Sequence, residues 1–539
     1  MSKHHQETSA PFVERLIFNN RIVVLLLFSL LTLFFGYQAA QVKPDTSFEK
    51  MIPLKHPYIA NMIEHQNDLP NLGNTIRIAV AIKDGDIFST EYMETLKRIN
   101  DEVFFLPGVD RSNLRSLWTP NVRWTEGTEY GFDGGPVAHR PAYLSEADLD
   151  ELRENVLKSG EIGRLVANNF KSTIIDIPLQ EAYPNPENQG ELIQLDYGDF
   201  SRQLEEKIRT EFQGENPNIQ IHIVGFAKKV GDLIDGLIGV VGFFAVAFVI
   251  TFVALYLFTW CIRSTVSVLV TTLIAVIWQL GLINLVGFGI DPYSMLVPFL
   301  IFAIGISHGV QKINGIALQS GGADNALTAA RLTFRQLFLP GMIAILADAV
   351  GFITLLIIDI GVIHELAIGA SIGVAVIVFT NLIMLPVTIS YLGISKKAVE
   401  RSKRDAVREH PFWRFLSNVA HPNVAPWLVI IALVGGVSCF MYQKANIKIG
   451  DLDAGAPELH PDSRYNLDND FIISNYTTSS DILVVMVSTP PEKCSAYETM
   501  EAIDQLQWKM SNLEGVQSAV SLVTVAKQVI MGSNEGNLK

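Results

Sequence analysis

Charge is scarce in this chain. Only 18% of its 539 residues are Asp, Glu, Lys or Arg, where an ordinary soluble domain carries about 25%. The deficit is concentrated in long apolar runs, which excludes a purely soluble protein and leaves a membrane protein. Cysteine is rarer still. Cys261, Cys439 and Cys494 lie far apart, so neither a disulfide framework nor a cysteine metal site is expected. Net positive charge is missing: the formal value is −14, which argues against nucleic acid as a partner. Also missing are a P-loop and a His-Glu-x-x-His helix, and the Gly-x-Ser-x-Gly match at Gly305–Gly309 lies inside an apolar run and not at a strand-to-helix turn, so hydrolase, nucleotide-driven and cofactor chemistry are not expected. His4 and His5 are too few for a metal tract. Any energy-requiring activity is therefore expected to draw on an ion gradient.

The apolar runs read as seven spans, each near the roughly 20 residues that cross a bilayer as a helix. They cover Arg21–Ala40, Leu237–Trp260, Thr265–Val286, Tyr293–Asn314, Leu339–Ile358, Leu366–Ser390 and Pro426–Tyr442. The segment after the sixth span carries Lys396, Lys397, Arg401, Lys403, Arg404 and Arg408. Arg331 and Arg335 lie between spans four and five, and Arg263 ends the link between spans two and three. Basic loops stay in the cytosol, so the N-terminus is expected there. Residues 41–235 are then extracytoplasmic, in keeping with their charge of about −12. The expected organisation is a cytosolic segment (1–20), span one (21–40), an extracytoplasmic domain (41–235), spans two to six (236–392), a basic cytosolic linker (393–425), span seven (426–442) and a second extracytoplasmic segment (443–539).

Residues 41–235 alternate between strand and helix patterns. Thr75–Ile82, Gly108–Leu117, Ser172–Pro178 and Asn218–Val224 read as strands, and Glu91–Val103 and Phe200–Phe212 as helices. The order is β-α-β, insertion, β-α-β, which predicts a split ferredoxin-like α+β domain. The insertion holds Trp118, Trp124, Tyr130, Phe132 and Tyr143, then a helix opened by Ser145. Those aromatics read as packing for the insertion before they read as a cavity lining.

The chain also repeats itself. Phe35-Gly36-Tyr37-Gln38 closes span one and Phe440-Met441-Tyr442-Gln443 closes span seven, about 405 residues later. Leu72-Gly73-Asn74 before the first strand corresponds to Thr478-Ser479-Ser480 before Ile482–Val487. Helix Glu91–Val103 corresponds to Glu498–Met510, and Gly108-Val109 to Gly515-Val516. The repeat also makes span one an anchor, not a cleaved signal peptide. The expected fold is thus an α-helical transmembrane bundle plus an extracytoplasmic α+β domain, in tandem. The second repeat is incomplete, because a full copy needs roughly 250 further residues.

This order of parts resembles the resistance–nodulation–division (RND) superfamily of proton-driven exporters. It is most similar to the branch of the mycobacterial large membrane proteins and the hopanoid and other lipid exporters. Gly163-Arg164-Leu165-Val166, Val224-Gly225, Gly351-Phe352 and Gly369-x3-Gly373 add to the resemblance. It implies a bacterial inner-membrane secondary transporter with a hydrophobic or lipid-like substrate, no cofactor, and a second copy or partner chain completing the repeat. The alternatives are a non-transporting lipid or sterol sensor and an accessory subunit of an envelope complex. No residue is identified as substrate-binding.

The family usually has Gly-x-Asp-Tyr in span four, with the Asp carrying protons. Here Ser307 stands in the place of that Asp and His308 in the place of the Tyr, while span five carries Asp348. Intramembrane polar residues are costly. At roughly 1.5 Å per residue, His308 and Asp348 fall at similar depths. That points to a shared-proton relay or to a static hydrogen bond. Lys312, one turn below His308, reads as a side chain snorkelling to the cytosolic interface. Gly369 and Gly373 read as helix-packing positions.

Overall fold

A computed structural model describes residues 12–43, 48–65, 74–128, 131–143, 145–185, 188, 190–291, 293–407, 411–447, 455–477 and 482–533. The expectations for His4, His5, Leu72-Gly73, Tyr130, Arg408 and Thr478-Ser479-Ser480 lie outside the described residues. Seven described helices are long and apolar enough to cross a membrane: Arg21–Ala39, Gly242–Thr259, Ile262–Val286, Ser294–Ser320, Ala326–Ile357, Gly361–Leu392 and Ala425–Asn446. These are spans one to seven. They coincide with the seven predicted runs, because hydropathy over a full membrane thickness is a strong local signal.

The chain divides into a helical unit (residues 1–59 and 236–450) and an α+β unit (60–235 and 451–539). The helical unit thus takes in residues 41–59, which the charge pattern assigns to the extracytoplasmic domain. The short helix Phe48–Met51 packs on the first part of span six. There Lys50 Nζ lies 2.7 Å from Glu365, and Lys55 Nζ lies 3.1 Å from Asp359. Residues 451–539 group with 60–235 in the α+β unit.

Inside the helical unit, spans three and six are the most enclosed. Span seven has no buried residue. Basic side chains tie one end of the bundle together. Arg21 Nη1 donates to Ser390 Oγ (3.0 Å), Arg263 Nη1 to the Leu392 carbonyl (2.5 Å), and Arg331 Nη2 to Asn19 Oδ1 (2.6 Å). Arg335 pairs with the fully buried Glu14. The ends of spans one, three, five and six that carry Lys and Arg are therefore one end of the helical unit.

The α+β unit is organised on a three-stranded antiparallel sheet. Strands are β1 (Thr75–Ile82), β2 (Arg123–Thr128), β3 (Gly131–Pro136), β4 (Ser172–Pro178), β5 (Ala182–Pro184), β6 (Leu192–Gln194) and β7 (Ile219–Gly225). The sheet order is β4-β1-β7, with Ile78 opposite Ile175 on one side and Ile223 on the other. β-branched side chains suit such a central, doubly flanked strand. Helix Thr90–Phe104 packs its apolar side inward, capped by Ser89, whose hydroxyl accepts from the Tyr92 N–H at 3.3 Å. The buried Tyr92 hydroxyl donates to the Val80 carbonyl (2.8 Å) and lies 2.7 Å from Thr173 Oγ1. Burial drives the pKa of this phenol well above its ordinary value.

The structure departs from three expectations. Gly108–Leu117 is not a strand. It offers only isolated antiparallel bridges, Val109 to Leu179 and Arg115 to Asp176. The Asp110 carboxylate accepts the Ser112 N–H at 3.1 Å and Asn113 Nδ2 at 2.7 Å, folding the middle of the segment into a turn. Helix Phe200–Phe212 starts earlier, at Tyr197, and passes through a π-helical stretch, Leu204–Thr210, before ending at Glu215. Ile482–Val487, expected to be a strand, is unpaired and exposed along its length. No described strand lies beside it to take its hydrogen bonds. The helix after it forms as Tyr497–Ser511.

In the insertion, β2 and β3 make a hairpin. Ser145 opens helix Glu146–Ser159 with a capping box. Trp118 and Tyr143 meet edge to face at 5.7 Å. Lys158 Nζ lies 5.5 Å over Trp124. These aromatics are used for packing.

Helix Arg464–Asn475 lies against β7 and supplies the most enclosed carboxylate of this unit. Asp468, 1% exposed, accepts Arg209 Nη2 (2.5 Å) and the Ile223 N–H (3.0 Å) and pairs with His222 Nδ1 (2.9 Å). Burial alone would raise its pKa. The His222 hydrogen bond, the Arg209 charge and the Ile223 N–H outweigh burial and hold Asp468 below the usual carboxylate range. The His222 ring stacks on Phe471 at 3.8 Å.

Candidate functional site in the helical unit

Span four presents one packed face. Ile301, Gly305, His308, Lys312 and Ile316 follow one another at helical spacing, and all are buried. Gly305 and Gly309 allow close approach by spans three and six. A methyl group on Gly305 would sit 2.7 Å from Thr272 Cγ2, and one on Gly309 would sit 2.7 Å from Val268 Cγ1. Such small-residue spacing lets membrane helices meet backbone to backbone.

That approach brings a polar residue of span six onto span four. Val378–Met384 is π-helical, and Asn381 inside it is fully buried. Asn381 Nδ2 donates to the Gly305 carbonyl (2.5 Å) and to Thr272 Oγ1 (2.9 Å). Its Oδ1 accepts from Thr380 Oγ1 (3.0 Å). π-turns inside α-helices are frequent at functional positions. The sequence reading passed over Asn381. Its signal was a lone amide in an otherwise apolar span, which the cost of intramembrane polar groups would have marked.

Lys312 is 1% exposed. The snorkelling expectation is therefore overturned. Its ammonium donates to the Leu337 carbonyl at 2.5 Å. Pro340 stands inside span five, where it has no N–H to give and its ring crowds the preceding turn. The Leu337 carbonyl belongs to that turn. Gly341 beside it leaves the room, since a methyl group there would lie 3.1 Å from the ammonium. The proline and glycine of span five thus form a receptor for the lysine, and a long side chain stays inside the bundle.

His308 is buried and its Nδ1 has no hydrogen-bond partner. The expected hydrogen bond to Asp348 is not made. Asp348 follows the buried Ile345 by three residues and precedes the buried Ala349, so it borders the packed stripe of span five but is itself exposed. Ser307 is exposed on span four, as are Gln311 and Asn314 at helical spacing from it. The structure brings His308 and Lys312 onto one buried face and leaves Ser307 and Asp348 on outward faces.

The two packing glycines differ. A methyl group on Gly373 would stand 2.5 Å from Ile301 Cδ1 and 2.6 Å from Gln279 Cγ, whereas on Gly369 it would meet Ile283 Cγ2 at 3.4 Å. Gly373→Ala is expected to destabilise the bundle by about 1–3 kcal/mol, the range for overpacked cores. Gly369→Ala is expected to change little. Thermal unfolding of both variants in the same detergent checks the contrast, and equal losses would refute it.

The chain resembles a Methanocaldococcus jannaschii protein described only as a candidate membrane protein, MJ1562. The two are 20% identical over 378 residues, which cover 68% of this chain and 89% of the relative. No family model matches the chain. Together with the seven apolar helices, the relative supports membrane-protein character.

Proposed function

We propose that the chain is a secondary transporter of RND type, driven by the proton gradient and moving a hydrophobic or lipid-like molecule. The single observation that carries this reading is the buried pair His308 and Lys312, one turn apart within the helix bundle. A buried ammonium with no carboxylate beside it is costly. So is an imidazole nitrogen without a partner. Structural packing alone would favour apolar residues at both places. Groups that gain and lose protons inside the bilayer give such a site a purpose.

The sheet of the α+β unit supports this reading. A split ferredoxin-like domain with a reduced second strand would give the order β4-β1-β7 with bridges at Val109 and Arg115 beyond β4. Asp348, Ser307 and Gln311, exposed on spans five and four, belong to the same reading. An aspartate facing lipid at mid-membrane costs about 2.5–3.5 kcal/mol on insertion scales. In the assembled transporter this polar face is covered by another helix bundle, supplied by a second copy or a partner chain. Asp348 then enters the relay from that interface. On this reading the protein sits in a bacterial inner membrane with its basic end toward the cytosol.

Proteoliposomes with an imposed pH gradient and a fluorescently labelled phospholipid test the reading. Gradient-dependent redistribution that an uncoupler abolishes is expected. Redistribution at the same rate with and without the gradient would overturn it and favour a passive or sensing role.

A further inference from the structure

At the basic end of the bundle, spans two, three and four and the helix Lys396–Val407 enclose a cavity of about 320 Å³. Its apolar lining is formed by Ile313, Ala317, Ile394 and Ala398, with Thr259, Asn314 and Ser402 as polar neighbours. Ser264 lines it with a buried hydroxyl beside the Cys261 thiol. Arg401 stands among the lining residues with its guanidinium held in place. Nη1 donates to the Leu257 carbonyl at 3.1 Å, and the group lies 5.0 Å over the Trp260 ring. The helix that carries Arg401 is amphipathic. It buries Ala398 and exposes Lys396, Lys397, Lys403 and Arg404.

We infer that this cavity is a binding site for an anionic phospholipid, with the phosphodiester on Arg401 and the upper part of one acyl chain on the apolar lining. Each half of the cavity calls for one half of such a molecule. An apolar lining alone would take any acyl chain. A basic helix beside it selects a negative headgroup, because interfacial Lys and Arg attract anionic lipid. A planar guanidinium already fixed by a carbonyl and an aromatic face suits bidentate recognition of phosphate oxygens. The Ser264 hydroxyl adds a polar contact at the cavity wall. A free phosphate would use only Arg401 and leave the apolar lining wet. This site goes beyond the transport reading and does not depend on it, because a bound lipid of this kind serves equally in a transporter or a sensor.

Native mass spectrometry of the full chain in a mild detergent tests the site. The probes are dioleoylphosphatidylglycerol, dioleoylphosphatidylcholine and inorganic phosphate, each added back to delipidated protein. One phosphatidylglycerol is expected to bind about tenfold more tightly than phosphatidylcholine. Arg401→Gln is expected to erase that preference. Lys397→Gln, which removes the same charge from the same helix outside the cavity, is expected to leave it within about twofold. Ala317→Leu fills the cavity at its apolar lining without touching charge and is expected to displace the lipid, which keeps the test open should Arg401→Gln misfold. Equal losses in Arg401→Gln and Lys397→Gln would reduce the site to a basic surface. Phosphate binding as well as phosphatidylglycerol, or lipid retained in Ala317→Leu, would overturn it.

Discussion

Lys312→Met is expected to remove gradient-driven transport and to leave the protein as stable as before or more so. The two halves of that expectation have one cause. Lys312 is buried with a backbone carbonyl for a partner. Exchanging a buried charge for an apolar side chain of similar length is often neutral or stabilising by about 1–4 kcal/mol. If the ammonium takes part in moving protons, the same exchange lowers the coupled rate by roughly a hundredfold or more, the usual weight of a positioned proton-transfer group. Thermal unfolding and the proteoliposome assay, run on the same preparation, read the two quantities separately. A variant that transports normally and melts higher would make Lys312 an accident of packing. A variant that loses transport because it no longer assembles would make it structural. His308→Ala is expected to weaken transport without abolishing it, and Asp348→Asn to abolish it if the second bundle brings Asp348 into the relay.

Asp468→Ala is expected to cost the α+β unit about 3–5 kcal/mol, the range for breaking a buried ion pair by removing one partner. The loss arises on the remaining side. Arg209, 6% exposed, keeps only Glu205 at 3.1 Å, and the Ile223 N–H loses its acceptor. Asp468→Asn retains an acceptor for that N–H and is expected to cost less. The wild-type carboxylate has a depressed pKa. Its contribution is therefore complete above the ordinary carboxylate value of about 3.9 and is lost as the pH falls through its lower folded value. Hydrogen exchange at the β7 amides, followed from neutral pH down to below pH 3, should show protection held near neutrality and declining in acid. In Asp468→Ala that acid-dependent part should be gone. Unchanged protection in the variant would mean that helix Arg464–Asn475 is held by its apolar contacts alone.

What the sequence could reveal tracks the range of the interaction. The seven spans were legible because each is a run of some 20 residues with one solvent preference. β1 and β4 were legible to the residue, since Thr75–Ile82 and Ser172–Pro178 are dense in β-branched side chains bounded by breakers. β2 and β3 were not. Arg-Trp-Thr-Glu-Gly-Thr and Gly-Phe-Asp-Gly-Gly-Pro have no apolar alternation, and only their mutual pairing makes them strands. Gly108–Leu117 failed for the opposite reason, because a local turn at Asp110 defeats a strand-like composition.

In the candidate site, His308 and Lys312 could be picked out as intramembrane polar residues, but their environments could not. The burial of Lys312 is decided by a proline and a glycine some thirty residues later in the chain, on another helix. The outward position of Asp348 is a matter of helix rotation, which hydropathy does not report. Asn381 needed a π-turn to aim it, and no residue pattern in Val378–Met384 announces one.

That π-turn makes the span-six segment longer by one residue than an unbroken α-helix spanning the same rise. Each residue of an α-helix turns the chain by about 100°, so a surplus residue in a regular helix would rotate one end against the other; the wider π-turn absorbs it, and Leu385 and Ile389 stay buried as Gly369 and Gly373 are. Removing any one residue from 378–384 would return the helix to a regular period. Both ends would keep their places against their neighbours, and only the turn that carries Asn381 would close up and re-aim the amide. The inward aim of Asn381 is thus stored in the length of the segment as much as in the identity of the side chain. Related chains that lack the asparagine contact need not differ at that position at all; a chain shorter by a single residue there would lose it as surely as one with a substitution.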